Sequence, residues 1–286
     1  MSAADTYAAR VDAVLAQRTR LRGPQPPGDL FAGFPPDHPM LRADARRPLE
    51  PNLEIIAGYI RPDDVIVDVG GGGGRVSLPL ALRCRALINV DPSAAMLRGF
   101  EANARQAGIS NVQVVHGDWL DVNPPRGSVA LVNHVTYLTR DIVPFVEKLE
   151  AATTRRVLLT VNSPPPPSRH RVLFRLLYDE AEEVVPGHVE LVNVLWEMGI
   201  EPDVRMLPDP LPVPPPVPTR EAAIQAGVDR FIAQWAFWPL GPELEARLRR
   251  VLEARFDELF NPTADGYAAT WINPGREVLI SWESRR

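Results

Sequence analysis

The chain has 286 residues, 45% of them apolar and 23% charged, which is material for one domain with large insertions or for one domain and a small second one, and too well balanced for wholesale disorder. The formal net charge is -5 and no long basic run occurs, so the chain lacks the bulk positive footprint that neutralises nucleic-acid phosphates, and a small-molecule partner is favoured. Cys84 is the single cysteine, which excludes an intramolecular disulfide and a cysteine-built metal site. No stretch reaches the roughly 18 apolar residues of a membrane helix, and Met1 to Arg20 is an Ala-rich helical pattern interrupted by charges; no membrane partner is expected and the cytoplasm is the default compartment.

Val65 to Val69 is a short apolar run that ends in glycines and reads as a buried parallel strand. Arg75 to Arg83 follows as a helix with Pro79 in its first turns. Ala86 to Val90 is a second strand ending at Asp91, and Pro92 to Gln106 a helix with Ala95, Met96 and Phe100 on its apolar face. Strands follow at Val112 to Val115, Val129 to Val132 and Arg156 to Val161, with a helix near Ile142 to Ala152 between the last two. The alternation implies right-handed crossovers and a doubly wound, parallel α/β sheet. Ser163 to Gly187 is a long connection with a helical stretch around His170 to Glu183, and then come a helix at His188 to Met198 and a strand at Val204 to Leu207.

Residues 208–266 read as a helical insertion carrying Arg220 to Trp238 and Pro242 to Phe260; Ala268 to Ile272 and Glu277 to Trp282 read as a closing hairpin turned at Asn273-Pro274-Gly275. The 31 prolines cluster at Pro164 to Pro167 and Pro208 to Pro218, where they favour stiff extended connectors. The expected organisation is an N-terminal helical extension (1–48), an α/β domain (49–207 with 267–286) and the insertion (208–266) as a lid, with helical insertions after strands five and six.

Asp68 to Gly74 fits D-x-G-x-G-x-G at a strand-to-helix turn, where bare backbone approaches a ligand without a Cβ in the way. A dinucleotide G-x-G-x-x-G fails, because its third glycine position falls on Arg75, Val76 or Ser77. A phosphate P-loop fails because the chain's one lysine is Lys148. A ligand-free flexible turn is the bland alternative, though five glycines in a row cost much backbone entropy. Asp91 stands where nucleotide folds place a ribose-binding carboxylate; the rival reading is an N-cap before Pro92. Asp118 could accept from an adenine amino group and Trp119 could wall the base, or Gly117-Asp118 is simply an exposed turn.

With these sites in order, the chain resembles the class I S-adenosylmethionine-dependent methyltransferases: Asp68 to Gly74 is similar to the family's first motif, Asp91 to its second and Gly117-Asp118-Trp119 to its third. The resemblance implies a mostly parallel seven-stranded sheet with the last strand inserted antiparallel, and S-adenosyl-L-methionine as cofactor. It implies that Gly70, Gly72 and Gly74 pass the methionine moiety, that Asp68 orders the loop, and that Asp91 holds the ribose. Pro92 and Met96 would stand beside it, Asp118 and Trp119 at the adenine, and Asn133 near the sulfonium and the acceptor.

Methyl transfer is an in-line displacement at an activated methyl, so alignment supplies much of the rate, and a base is needed only if the nucleophile arrives protonated. His134 is the candidate base, with Tyr137, Asn162 and His170 as candidate acceptor-pocket residues and Trp235, Phe237 and Trp238 as a possible aromatic lid; ordinary packing is the alternative for each. Asn133-His134-Val135-Thr136 stands where exocyclic-amine methylases carry Asn/Asp-Pro-Pro-Tyr/Phe, Cys84 is misplaced for cytosine methylation, and no set of carboxylates assembles a metal site. The expectation is a methyltransferase acting on an O, N or C nucleophile of a small molecule; the competing readings are a cofactor-binding module without turnover and a protein or RNA methyltransferase.

Overall fold

The structure is a computed structural model that describes the chain except residues 26, 36, 167–169, 235–240, 273 and 286, and the side chains of 233 and 234. Its strands are β1 (Val65–Val69), β2 (Ala86–Asp91), β3 (Val112–His116), β4 (Gly127–Asn133), β5 (Thr153–Ser163), β6 (Asp203–Pro210), β7 (Phe260–Thr263), β8 (Gly266–Ala269) and β9 (Arg276–Glu283). Its helices are α1 (Ala3–Arg22), α2 (Pro51–Ala57), α3 (Ser77–Ala81), α4 (Ala94–Ala107), α5 (Ile142–Ala152), α6 (Arg171–Tyr178), α7 (His188–Glu197), α8 (Arg220–Gln234), α9 (Pro242–Ala254) and α10 (Phe256–Leu259).

Seven strands form one sheet in the order β3-β2-β1-β4-β5-β9-β6. β1 to β5 pair in parallel, and β9 is antiparallel to both neighbours. The period-two alternation of the buried strands divides the core between the two faces. Val67, Val69, Val132 and Leu159 face α1, α5 and α7. Ile66, Leu87, Leu131 and Leu158 face α2, α3 and α4. Strand order reverses between β1 and β4, and in such sheets the crevice at the carboxyl ends of those strands is the ligand site.

Three expectations are corrected. Residues 268–272 do not pair with 277–282: β8 pairs with β7, Asn261 facing Ala268, while β9 leaves to fill the gap between β5 and β6. The turn residues were legible, but the sheet vacancy that captures β9 is set by strands far away in sequence. The helix predicted over Arg75 to Arg83 is one short turn, Ser77–Ala81. The helix predicted over Pro242 to Phe260 breaks at Arg255. The inserted elements do not stand alone either, since Phe231, Leu248, Leu252 and Trp271 share one apolar cluster with Leu173, Phe174 and Leu177 of α6. Among the described residues, no helix is long and apolar enough to cross a membrane.

Candidate functional site

Where β1 ends, the chain bends through five glycines. Gly70, Gly72 and Gly74 have φ of 69°, 53° and 84°, a region costly to side-chain-bearing L-residues. Gly71 is required for a different reason, because a Cβ there would stand 2.1 Å from Asp68 Oδ2 and 2.6 Å from Asn89 Oδ1. A carboxylate and a carboxamide therefore lie directly beneath the bend. Asn89 Nδ2 donates to the Gly72 carbonyl at 3.0 Å, and Asn103 Nδ2 donates to Gly73 O at 2.8 Å and to Leu41 O at 2.9 Å.

Asp91 closes the rim: its Oδ2 accepts from the Gly72 amide at 2.9 Å and its Oδ1 from the Ser93 amide at 2.8 Å. The N-cap of α4 is Ser93, whose Oγ accepts from Met96 N at 3.0 Å. Asp91 is thus turned toward the glycine bend, and the capping role belongs to its neighbour. Burial pushes the Asp68 carboxyl up to about 7, with the Asp91 charge adding to the effect. Burial also raises Asp91, against the two amide hydrogen bonds that favour its charge. Asp29 sits at the same place, accepting from Ser93 Oγ at 2.7 Å and Ala95 N at 3.0 Å.

Two clefts meet here. The first, about 150 Å³, is bordered by Asp68, Gly70 to Gly73, Met96 and Asn133, with Met40 lying over it. The second, about 500 Å³, is bordered by Asn52, His134, Asn162, Asp209 and Glu277. Asn133, Arg75 and Val76 border both.

Not every expected site residue reaches these clefts. Gly74 is packed under Leu78 and Phe100. Pro92 is exposed, and its carbonyl faces His116 Nε2 at 3.1 Å. Asp118 is exposed and closes its own turn by accepting from Leu120 N at 2.9 Å. Trp119 is only 4% exposed, packs edge-on against Phe145, and donates its indole N–H to Phe145 O at 3.3 Å. Its large apolar surface is satisfied under α5, so the ring walls neither cleft among the described residues. His170 packs 5.2 Å from the ring of Trp271, which belongs to the apolar cluster of α6, α8 and α9, and borders neither cleft. Trp235, Phe237 and Trp238 lie outside the described residues.

His134 lies just past β4 at φ 60°, an uncommon backbone conformation for a residue with a side chain, fixed by its amide donating to Thr160 O at 3.0 Å. Its Nδ1 is 3.0 Å from Tyr137 Oη and its Nε2 is 2.7 Å from Glu277 Oε1. Tyr137, expected in the acceptor pocket, borders neither cleft; its Oη accepts from the Asn162 amide at 2.6 Å, and burial raises its phenol. Glu277 also accepts from Asn52 Nδ2 at 2.8 Å; burial pushes its carboxyl up, but His134 and Asn52 outweigh this and hold it below the usual range. Asn133 Oδ1 accepts from Thr160 Oγ1.

Sequence reasoning missed Glu277, Asn52, Asn89, Met40 and Asp29. Only Asn89 carried a local signal, as the one amide inside an otherwise apolar strand. Glu277 is 143 positions from His134, and no spacing rule connects them.

Residues 66–154 match a family model described as a methyltransferase domain. An uncharacterized protein of Haemophilus influenzae is 26% identical over 152 residues, covering 52% of this chain and 55% of that protein. An "uncharacterized RNA methyltransferase" of Lactobacillus johnsonii is 24% identical over 155 residues, covering 50% of this chain and 34% of that one. The chain thus spans about half of the first relative and a third of the second. In fold it is similar to the YcgJ protein from Bacillus subtilis, with a TM-score of 0.55 at 15% identity, covering 82% of this chain and 98% of that chain. The matched stretch contains the glycine bend, Asp91 and four of the parallel strands, and the sheet order places the antiparallel strand between the fifth and sixth. Over residues 66–154, the chain is thus similar to methyltransferase domains.

Proposed function

We propose that this protein is an S-adenosylmethionine-dependent methyltransferase that alkylates a small-molecule O, N or C nucleophile held in the 500 Å³ cleft. The observation that carries the reading is the junction: the glycine bend, with Asp91 on its Gly72 amide, opens at Asn133 into a separate polar cleft. The cradle fits the cofactor chemically. Positive-φ glycines leave an amide-lined bend whose open side at Gly72 meets only the Met96 sulfur, at 3.7 Å from where a Cβ would stand.

S-adenosylmethionine supplies, when bound, a methyl group on a sulfonium that passes to a lone pair while the C–S electron pair stays on sulfur. Gly70 and Gly72 would hold the methionine moiety, and the already desolvated Asp91 the ribose hydroxyls. Asp68, beneath the bend, would order it. Asn133 would separate the reacting methyl from bulk water, and Asn162 would orient the acceptor. His134 would take a proton from an acceptor that arrives protonated. Arg75, on the border of both clefts, supplies positive charge beside the acceptor.

Titration calorimetry with S-adenosylmethionine tests the pocket, and the absence of binding to well-folded protein would defeat the proposal. Labelled cofactor incubated with metabolite, peptide and RNA pools tests the acceptor. Label in the small-molecule pool is expected. Label only in RNA would instead favour the activity named for the Lactobacillus relative, and binding without label transfer to any pool a module without turnover.

A further inference from the structure

Between the backbone of β6 and the backbone of β5 runs an unbroken line of hydrogen bonds along the wall of the acceptor cleft, which Asn52, Glu277, His134 and Asn162 border while Tyr137 stands behind them. At one end the Asp209 amide donates to Asn52 Oδ1 at 2.9 Å, so Asn52 must turn its Nδ2 toward Glu277, where it donates to Oε2 at 2.8 Å. The ionised Glu277 carries no proton, so the 2.7 Å contact of its Oε1 requires the hydrogen on His134 Nε2. At the other end the Asn162 amide donates to Tyr137 Oη at 2.6 Å, and with Nδ1 left unprotonated the phenol gives its own hydrogen to His134 Nδ1 at 3.0 Å. The Glu277 end sets the imidazole, with hydrogen on Nε2 and a lone pair on Nδ1, and the Tyr137 hydroxyl can meet that lone pair.

Resting on the reading above, we propose that Glu277, backed by Asn52, is the positioning residue that locks His134 in its Nε2–H form, making Nδ1 its proton-receiving nitrogen. The acceptor class this machinery serves carries an N–H or O–H at its nucleophile. That bond breaks with its electron pair left on the nucleophile, and the proton goes to Nδ1 as the Tyr137 hydroxyl gives up its hydrogen bond there. The imidazolium so formed faces the Glu277 carboxylate, which holds it in place. Asn162 adds a second feature of the same kind: its Oδ1 is buried at the cleft without a hydrogen-bond partner, an acceptor waiting for a donor on the bound molecule. The other charged or titratable groups around the pair are Arg47, Glu50 and Arg75 on the cleft wall, Asp209 from β6, and Tyr7 of α1 near Tyr137.

The line of hydrogen bonds makes an unusual demand on Glu277→Gln. Asn52 still presents N–H, so the new carboxamide must offer it oxygen and turn its own NH₂ to His134 Nε2, which drives the imidazole hydrogen to Nδ1. In systems where an orienting carboxylate is replaced by its amide and the tautomer inverts, turnover falls on the order of 10⁴-fold with the geometry intact.

The test is a long-range proton–nitrogen NMR spectrum of the full ¹⁵N-labelled chain at about pH 9, above the ordinary imidazole range. His134→Gln identifies the His134 signal among the five histidines. The wild-type protein is expected to show the Nε2–H pattern, Glu277→Gln the Nδ1–H pattern, and Glu277→Gln combined with Asn52→Ala a return toward Nε2–H. Methyl transfer to a metabolite extract should fall at least about 100-fold in Glu277→Gln, with S-adenosylmethionine affinity kept within about twofold. A wild-type Nδ1–H pattern overturns the inference even if no variant folds, and so does an unchanged tautomer in Glu277→Gln. Correct tautomers in a protein that fails to bind S-adenosylmethionine would instead overturn the functional reading, and with it the proton-receiving role.

Discussion

The two ends of β1 carry one aspartate each, and they are treated in opposite ways. Asp64, just before the strand, is buried but surrounded by donors: Arg155 through Nε at 3.1 Å and through Nη2, Ser128 Oγ at 2.6 Å and Arg61 N at 2.6 Å. Burial pushes its carboxyl up, but Arg155, Ser128 and Arg61 outweigh this and hold it below the usual carboxylate range. Asp68, inside the strand at the other end, is equally buried, and burial prevails there, raising it to about 7. The amino-terminal edge of the sheet satisfies its charge and so ties β1, β4 and β5 together. The carboxyl-terminal edge keeps its carboxylates poorly solvated beside a bare bend, where a ligand has something to gain by binding.

If this contrast is right, substitutions at the two ends must separate stability from ligand affinity. The largest effect is expected from Asp64→Ala, which strands the Arg155 guanidinium: about 3–5 kcal/mol of stability lost in urea denaturation, with S-adenosylmethionine affinity unchanged in the protein that remains folded. A loss under about 1 kcal/mol would erase the difference between the two ends.

Asp68→Asn should have the opposite sign. The folded-state value near 7 lies above the ordinary 3.8, so the folded protein binds this proton more tightly than the unfolded chain. Its contribution is complete below about pH 4 and is lost as the pH rises through about 7. The amide removes that dependence, so the cofactor-free variant is expected to be about 4 kcal/mol more stable than wild type at pH 8 and no more stable at pH 4. Denaturation curves at the two pH values check this. A wild-type stability that climbs between them through Asp68 would contradict the burial argument.

Asp91→Ala comes next. It should weaken S-adenosylmethionine by roughly 1–3 kcal/mol in calorimetry, the scale of a lost charged hydrogen-bond partner. Unchanged affinity would make Asp91 merely a brace for the Gly72 amide.

The same contrast explains what could be read from the residues. β1 to β5 and the glycine bend are local runs whose burial follows from their own composition, so the strand positions and the bend after β1 were legible in the residues, whereas the strand order was not. The antiparallel last strand was accessible through the family resemblance, whereas local turn chemistry at Pro274-Gly275 pointed to a hairpin that the sheet overrides. Gly117-Asp118-Trp119 has the spacing of an adenine site, but spacing does not say which way an indole turns, and here the core beneath α5 takes it. The partner of His134 could not be read at all: Glu277 reaches it only because β9 is threaded next to β5.

Ser93→Ala is the smallest expected effect and probes how the rim at the carboxyl edge is held. Ser93 caps α4 through Met96 N and also donates to Asp29, whose other oxygen takes the Ala95 amide. Burial works against the Asp29 charge, but the hydrogen bonds from Ala95, Ser93 and Phe31 and the nearby Arg98 hold its carboxyl below the ordinary range. Losing the cap should cost about 1 kcal/mol. Because Asp29 supplies a second anion at the same helix start, Asp29→Ala and Ser93→Ala should not be additive in a double-mutant cycle, with a coupling of about 0.5 kcal/mol. Strict additivity would mean that the segment carrying Asp29 does not brace α4.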